Sequence, residues 1–265
     1  MLTAVILDWA GTVLDYGCRA PVVAFDAALR EFGVALTEAQ IRAPMGTAKQ
    51  DHIRALLGTA DGDRQWRQEH GRVWSEADVL AIYARFEPLE LASVASYADL
   101  IPGALEAIGD CRERGLRIGS CTGYNHAIMA PILPAAARQG YAPDCLVCPE
   151  DVGGGRPHPW MIFENMRRLA VYPPSSIVKV GDTIADIAEG RNAGVWSVGV
   201  TRSGNELGLS QAEADALGEA ELALRTAAIE RRMRAAGAHA VIASIADLPQ
   251  TLDALEARVA RGEHP

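Results

Sequence analysis

The stretch AVILDWAGTVLDYG, residues Ala4 to Gly17, decides the fold. Its four apolar residues from Ala4 to Leu7 predict a buried β-strand, and Asp8 follows directly where that strand ends. Gly11 can adopt turn conformations that other residues avoid. A carboxylate is therefore expected at the carboxyl edge of a sheet, where open α/β proteins bind their ligands. There it can act as a nucleophile toward phosphorus or as a ligand of magnesium, although an Asp that only caps the next turn is the alternative.

Length and composition describe a globular chain with an acidic surface. The 265 residues are 49% hydrophobic, enough for one domain with an insertion or for two modest domains. The net charge of -9 argues against a nucleic-acid partner, because phosphate backbones require an excess of Lys and Arg. No basic run precedes the first apolar stretch and no uncharged window reaches membrane length. We therefore expect a cytoplasmic location and no membrane partner.

The cysteines indicate reduced thiols. Five of them, an odd number, are scattered through a large chain, which is not typical of a disulfide framework. Cys145 and Cys148 form a CxxC, but no second Cys or His pair stands at the spacing of a zinc site. We therefore expect these two cysteines to belong to a structural strand.

Strand and helix patterns alternate along most of the chain. Short apolar runs predict further strands at Leu116–Cys121, Asp144–Val147, Ile177–Val180, Val195–Val200 and Ala240–Ala243. Alternation of this kind predicts an α/β fold, a doubly wound parallel-sheet (Rossmann-like) core. Residues 15–98 are helical in pattern and predict an inserted helical cap domain, which leaves 1–14 and 99–265 as the core. Ala212 to Arg234 reads as a solvated helical stretch, and Ser244 with Asp247 as a capping box for the last helix.

Residues with reactive or charged side chains follow the predicted core strands. Thr122 follows the second strand, where its hydroxyl and the adjacent backbone amides can hold a phosphoryl oxygen; a simple turn is the alternative. Arg156 lies in a glycine-rich loop and suits bidentate contact with phosphate. Asp182 and Asp186 form a GDTxxD after the fourth strand, close to Asp8. Converging carboxylates repel unless a cation lies between them, and Mg²⁺ is the natural candidate; for Asp182 a helix cap is the alternative.

Two levels of family resemblance follow from these motifs. The pair DxxGT and GDTxxD resembles the first and last motifs of the haloacid dehalogenase superfamily, whose phosphatases usually carry a second Asp where this chain has Ala10. Four segments together resemble the phosphonoacetaldehyde hydrolase family, which cleaves a carbon–phosphorus bond: DWAGTVLDYGCRAP (8–21), PMGTAKQDHIRAL (44–56), TGY (122–124) and VGDTIADIAEGRNAG (180–194).

This resemblance implies a role for individual residues. It makes Asp8 the nucleophile that becomes phosphorylated and Lys49 the amine that forms a Schiff base with the substrate aldehyde. It implies that Mg²⁺ is held by Asp8, the Ala10 carbonyl and Asp182, with Asp186 supporting the metal site from the next turn. It also implies a homodimer formed through the cap. The residues implied to hold the phosphoryl group are Thr122 and Arg156, and those implied to shape the substrate pocket are Cys18, Met45, Gly46, His52 and Tyr124.

The chemistry accounts for Ala10. A phosphonate leaves as a carbanion, which an acid at this position would not stabilise, whereas an iminium on Lys49 accepts the electron pair. Lys49 must be neutral to react, and a second carboxylate at position 10 would favour its ammonium form. His52, three residues after Lys49, could shuttle protons during imine formation or could be purely structural.

Two other functions remain open from the sequence. A phosphatase of the same superfamily with altered acid catalysis would keep Asp8 and the metal ligands. A non-catalytic binder of phosphorylated ligands would be consistent with the missing second Asp. A buried amine at Lys49 is required by neither of them.

Overall fold

The computed structural model describes all 265 residues and contains one six-stranded, entirely parallel sheet. The strand order is β3-β2-β1-β4-β5-β6, so the chain reverses its direction of winding beside β1. Each predicted strand is present with bounds that differ by at most one residue. The strands are β1 (Ala4–Leu7), β2 (Arg117–Cys121), β3 (Cys145–Val147), β4 (Ile177–Gly181), β5 (Trp196–Val200) and β6 (Ala240–Ile242).

Helices cover both faces of the sheet and build the inserted segment. Five of them lie in the inserted segment that follows β1: α1 (Ala20–Glu31), α2 (Glu38–Arg42), α3 (Lys49–Leu57), α4 (Ala60–His70) and α5 (Glu76–Ser93). The others are α6 (Ala104–Glu113), α7 (His126–Arg138), α8 (Pro149–Val152), α9 (Trp160–Leu169), α10 (Ile184–Ala193), α11 (Gln211–Ala216), α12 (Glu219–Ala236) and α13 (Leu248–Ala260). None of these helices combines the length and the apolar character needed to cross a membrane.

Alternating side chains of β1 pack into separate hydrophobic clusters. Val5 and Leu7 belong to the large cluster that also contains buried residues of α6, α7 and α13. Ala4 and Ile6 belong to a second cluster with buried residues of α9. Since successive side chains of a strand point to opposite faces, the sheet carries helices on both sides. The doubly wound α/β core expected from the sequence is confirmed.

The inserted helices form a cap whose two connections to the core run side by side. The Asp15 amide donates to the Asp99 carbonyl (3.2 Å) and the Ile101 amide donates to the Val13 carbonyl (2.8 Å). Leu14 and Leu100 form an antiparallel bridge between these two hydrogen bonds. We propose this paired crossing as the boundary between the core (1–14 and 99–265) and the cap (15–98).

Two local features differ from the sequence expectations. The stretch from Ala212 to Arg234 is not one helix, because α11 ends at Ala216 and α12 begins at Glu219. It is also not fully solvated, because α12 buries Ile229 and Met233. These two side chains pack against Ile187 of α10, so one face of α12 covers the sheet layer. The capping box of Ser244 and Asp247 caps a single 3₁₀ turn that leads into α13.

Arg42 of α2 joins the cap to the core. Its guanidinium donates to the carbonyls of Gly17 (2.8 Å), Cys18 (3.2 Å) and Gly208 (3.0 Å) and to Oδ1 of Asn205 (3.1 Å). The side chain is only 11% exposed, so these hydrogen bonds are largely shielded from water. One cap residue therefore binds both the segment that enters the cap (Gly17 and Cys18) and a core loop (Asn205 and Gly208).

We expect Arg42→Met to destabilise the protein by about 2 kcal/mol, because several buried hydrogen-bond acceptors lose their donor. Urea unfolding at neutral pH measures the change in the free energy of unfolding. The control is Arg67→Met on α4, an exposed Arg paired only with Asp63, for which the expected loss is below about 0.5 kcal/mol. Equal losses in the two variants would contradict a joining role for Arg42.

Candidate active site

Asp8 lies at the carboxyl end of β1 and is almost fully buried. Its Oδ1 accepts a hydrogen bond of 2.6 Å from Nη2 of Arg156. Burial raises the pKa of Asp8, and the Arg156 charge opposes this rise and favours the carboxylate. The predicted nucleophile and one of the two predicted phosphoryl-binding residues are thus in direct contact.

Arg156 is held by a buried network of charges below the sheet edge. Its Nε lies 2.9 Å from Oε2 of Glu189 and 3.1 Å from Oδ1 of Asp186. Lys179 of β4 adds a second cation, 2.9 Å from Asp186 and 3.3 Å from Glu189. Although its own burial opposes it, these carboxylates and Asp8 hold the pKa of Arg156 above its ordinary value. The guanidinium is therefore fixed in place and permanently charged.

Three carboxylates meet where the prediction placed a metal. Oxygen atoms of Asp8, Asp182 and Asp186 lie within 4.8 Å of one another. Asp182 accepts hydrogen bonds from the Asn205 amide (2.7 Å) and from the Thr12 hydroxyl (3.3 Å). Burial, followed by the charges of Asp8 and Asp186, raises the pKa of Asp182 well above its ordinary value. A cation between the carboxylates would relieve this repulsion.

The donor set fits a hard divalent cation. Asp8, Asp182, Asp186 and Glu189 put four buried carboxylates around two buried cations, so a divalent ion would balance the cluster. Asp186 already has partners on both oxygens: Oδ2 accepts from the Thr183 hydroxyl (2.5 Å), and Oδ1 pairs with Arg156 and Lys179. These contacts favour a supporting role for Asp186 behind the direct ligands.

Lys49 is the first residue of α3 and is 7% exposed. Its Nζ lies 4.6 Å from the ring centre of Tyr124 and 5.5 Å from that of Phe25. Burial lowers the pKa of Lys49, against the opposing negative charge of Glu90. The aromatic, water-poor surroundings therefore favour a neutral amine.

A small cavity of about 20 Å³, room for one water molecule, joins the two halves of the site. Its lining contains most of the residues predicted from the sequence: Asp8, Ala10, Cys18, Met45, Gly46, Lys49, Thr122, Tyr124, Arg156 and Asp182. His52 is absent from this lining. Its Nε2 lies 2.7 Å from the Ile41 carbonyl and its ring stacks on Phe25 at 4.0 Å, contacts that suit a packing role.

The cap closes directly onto the core through glycine contacts. Gly46 has a φ of +89°, and a Cβ there would lie 2.3 Å from Oγ1 of Thr183. A Cβ on Gly123 would lie 2.6 Å from the Thr47 carbonyl oxygen. This close approach lets the Gly46 carbonyl accept a 2.9 Å hydrogen bond from Arg156. The cap backbone therefore lines the cavity on the same side as Arg156.

This chain is similar to known proteins over most or all of its length. A family model described as haloacid dehalogenase-like hydrolase matches residues 2–194. Proteins named phosphonoacetaldehyde hydrolase from Nitratidesulfovibrio vulgaris and Syntrophobacter fumaroxidans are each 46% identical over 262 residues, which is 99% of this chain and 94% and 95% of theirs. A solved phosphonoacetaldehyde hydrolase-like protein from Oleispira antarctica superposes with a TM-score of 0.98 at 41% identity, over 100% of this chain and 96% of that one.

The chain belongs to the phosphonoacetaldehyde hydrolase family of the haloacid dehalogenase-like hydrolases. The superfamily's second Asp position is occupied here by Ala10, which lines the cavity and adds no charge to it. Lys49, the predicted imine lysine, lines the same cavity from the cap side.

The sequence analysis did not predict several residues of the site. Glu189 carried a detectable signal, since it follows Asp186 by three residues and so shares its helix face. Glu90 of α5, fully buried near Lys49, and Asn205, which donates to Asp182, lie far away in sequence from the motifs. Arg42 contacts the site through Asn205 and through the Cys18 carbonyl. Tertiary contact alone reveals these three.

We expect Asp182→Asn to weaken Mg²⁺ binding by at least about tenfold, because a buried anionic donor becomes a neutral amide. Without metal, the variant should be at least as heat-stable as the unmodified protein, since one of three repelling carboxylates is gone. Thermal unfolding over a magnesium titration measures both effects. Asp99→Asn, at an exposed position outside the cluster, is the control; an unchanged magnesium response in Asp182→Asn would remove Asp182 from the metal site.

Proposed function

We propose that this protein hydrolyses phosphonoacetaldehyde to acetaldehyde and phosphate, as a carbon–phosphorus bond hydrolase. The observation that carries the proposal is the shared cavity of Lys49, Asp8 and Arg156. It offers an amine for the aldehyde at one end and a carboxylate with a guanidinium for the phosphonate at the other. The near full-length similarity to proteins named phosphonoacetaldehyde hydrolase supports the same substrate.

The first step is imine formation on Lys49. The neutral amine adds to the aldehyde carbon, and the carbonyl π pair moves to oxygen. After proton transfers the hydroxyl leaves as water, and the nitrogen lone pair forms the C=N bond of a protonated imine. The aromatic faces of Phe25 and Tyr124 around Nζ limit competing water.

The second step is phosphoryl transfer to Asp8. The carboxylate attacks phosphorus, and the electron pair of the C–P bond moves toward the iminium, which produces an enamine on Lys49 and a phosphorylated Asp8. Thr122 and Arg156 are proposed to bind the phosphonate oxygens. The Arg156 side chain keeps its position because its Nε donates a hydrogen bond to Glu189. The enamine then gains a proton at carbon, and water releases acetaldehyde from the imine and phosphate from Asp8.

A divalent cation, which we propose to be Mg²⁺, would be held by Asp8, the Ala10 carbonyl and Asp182, with Asp186 in support. When bound, it would neutralise charge on the phosphonate oxygens and so allow an anionic nucleophile to approach. Asp8 is positioned by β1, and Asp182 is oriented by the hydrogen bond that it accepts from the Asn205 amide.

The cavity admits substrate only when the cap moves away from the core. Its volume of about 20 Å³ is smaller than the substrate requires, and its walls include the cap loop around Gly46. Cys18 and Met45 are proposed to contact the bound substrate from the cap side.

We also propose a homodimer formed through the cap, where Val23, Leu80 and Leu91 of α1 and α5 are exposed. A cytoplasmic location is proposed as well.

The imine mechanism predicts a covalent adduct on Lys49. Borohydride added with phosphonoacetaldehyde or acetaldehyde should reduce the imine, and peptide mass analysis should place the adduct on the peptide containing Lys49. Lys49→Arg should neither trap nor turn over, because a guanidinium stays protonated. Asp8→Asn should still trap but release no phosphate, since the amide is a poor nucleophile.

Lys179 provides the matched control, because the chain contains only these two lysines. Lys179→Arg keeps the buried positive charge beside Asp186 and should still form the adduct on Lys49. An adduct located on Lys179, or full turnover by Lys49→Arg, would refute the proposed mechanism. Hydrolysis of phosphate esters alone would favour a phosphatase, and binding without turnover a phospho-ligand binder.

The absence of a second Asp can be tested by restoring it. We expect Ala10→Asp to lower phosphonoacetaldehyde turnover at pH 7 by about tenfold or more, because a carboxylate in the cavity stabilises the Lys49 ammonium. Activity should partly recover at higher pH, where the lysine loses its proton. Ala10→Asn has the same size without the charge and should show no such recovery; identical pH profiles of the two variants would argue against the charge effect.

A further inference from the structure

Glu90 of α5 is a buried acid with no ion pair and no close hydrogen bond. It is fully inaccessible to solvent, and neither carboxylate oxygen has a hydrogen-bond partner. A buried carboxylate without a partner costs stability, so its presence calls for a reason other than packing. The Tyr124 hydroxyl is buried and unpartnered as well, and it interacts with Glu90 closely enough to lower the Glu90 pKa.

The surroundings of Glu90 contain one cation. On α3 that cation is Lys49, beside the neutral ring of His52. Tyr124 approaches from the loop after β2 and Asp15 from the segment that enters the cap, where Cys18 lies near Tyr124 and Lys49. The buried residues of α1 and α7, which also pack on α5, are apolar. Burial raises the pKa of Cys18 and Tyr124 well above their ordinary values, so both are neutral. Glu90 is thus the acid that faces the proposed imine lysine on the cap side.

The two groups influence each other in opposite directions. Burial raises the pKa of Glu90 to about 7, and Lys49 is the main charge that lowers it. Burial lowers the pKa of Lys49, and Glu90 is the main charge that raises it. When Glu90 is ionised it stabilises the ammonium, and when Glu90 is removed the neutral amine should appear at a lower pH.

We propose that Glu90 is a positioning residue for the imine step: its carboxylate stabilises the ammonium form of Lys49 and thereby sets the pH above which the lysine attacks the aldehyde. This inference rests on the proposed function for its catalytic meaning. The electrostatic relation between the two side chains does not depend on it. Glu90 itself needs no contact with the substrate.

The test compares Glu90→Gln with the unmodified protein. Acetic anhydride labelling of the Lys49 peptide, followed by mass analysis from about pH 6 to about pH 10, reports where the amine loses its proton. We expect the labelling midpoint and the acid limb of the turnover profile to move to lower pH by roughly one unit in the variant, because the stabilising carboxylate is gone. Turnover on the plateau should change by less than about threefold.

Glu87→Gln is the matched control on the same helix. Glu87 accepts hydrogen bonds from Tyr83 and Asn125 and is only partly buried, so its loss should leave the Lys49 midpoint in place. A purely structural role for Glu90 would alter stability without moving the midpoint. Coincident midpoints in Glu90→Gln and the unmodified protein would overturn the inference.

A second readout is the pH dependence of stability. The pKa of Glu90 is raised from 4.5 to about 7 in the folded protein, so the free energy of unfolding falls as the pH rises through that range. Glu90→Gln should therefore have a higher Tm than the unmodified protein, and the difference should be larger at pH 8 than at pH 5. An equal Tm difference at both pH values would show that Glu90 is not ionised near Lys49 and would also overturn the inference.

The two failures can be told apart. If the unmodified protein forms no borohydride adduct on Lys49, the proposed function fails, while the labelling midpoint still decides whether Glu90 controls the amine. If the adduct forms and the midpoint does not move in Glu90→Gln, only the role of Glu90 fails.

Discussion

The contact between Arg156 and Asp8 is the interaction on which the site depends. A guanidinium cannot be buried without partners, and this one is paired with Asp8 at the end of β1 and with Asp186 and Glu189 of α10. Because those partners leave Arg156 no other low-energy position, Asp8 meets a fixed positive charge at the sheet edge. In the proposed mechanism the same charge would contact the oxygens of the phosphonate, so Arg156 would both stabilise the network and bind the substrate.

Residues of the cap are hydrogen-bonded to the charged residues of the core. Arg156 donates to the Gly46 carbonyl, and Arg42 reaches Asn205, whose amide donates to Asp182. Arg156 is thus hydrogen-bonded to the cap directly, and Asp182 is connected to the cap through Asn205. Opening the cap would break the first of these contacts and loosen the second. If the cap opens to admit substrate, as proposed, the same movement would take apart these contacts of the charged site.

Sequence reasoning identified the parts of the site that lie in local motifs. Asp8 and Asp182 could be placed because each directly follows a buried strand, and parallel strands end at one edge. Lys49 came from a family resemblance in the cap, since nothing in its local pattern fixes where α3 points. Glu90 and Arg42 escaped notice because an acid and an arginine on amphipathic helices normally face solvent. Their burial results from the way the cap packs, which no short motif encodes.

The charges divide the cavity into two chemically different ends. Around Asp8, buried cations and carboxylates are dense and nearly balanced, which suits transfer of an anionic group. Around Lys49 the surroundings are aromatic, and Ala10 keeps a second carboxylate out. Glu90 is then the negative group with the largest influence on the lysine, ahead of Asp8, at a position where burial brings its pKa close to neutrality. An enzyme that needs a neutral amine within a few ångströms of a polyanion must separate these environments, and the sheet edge and the cap each supply one of them.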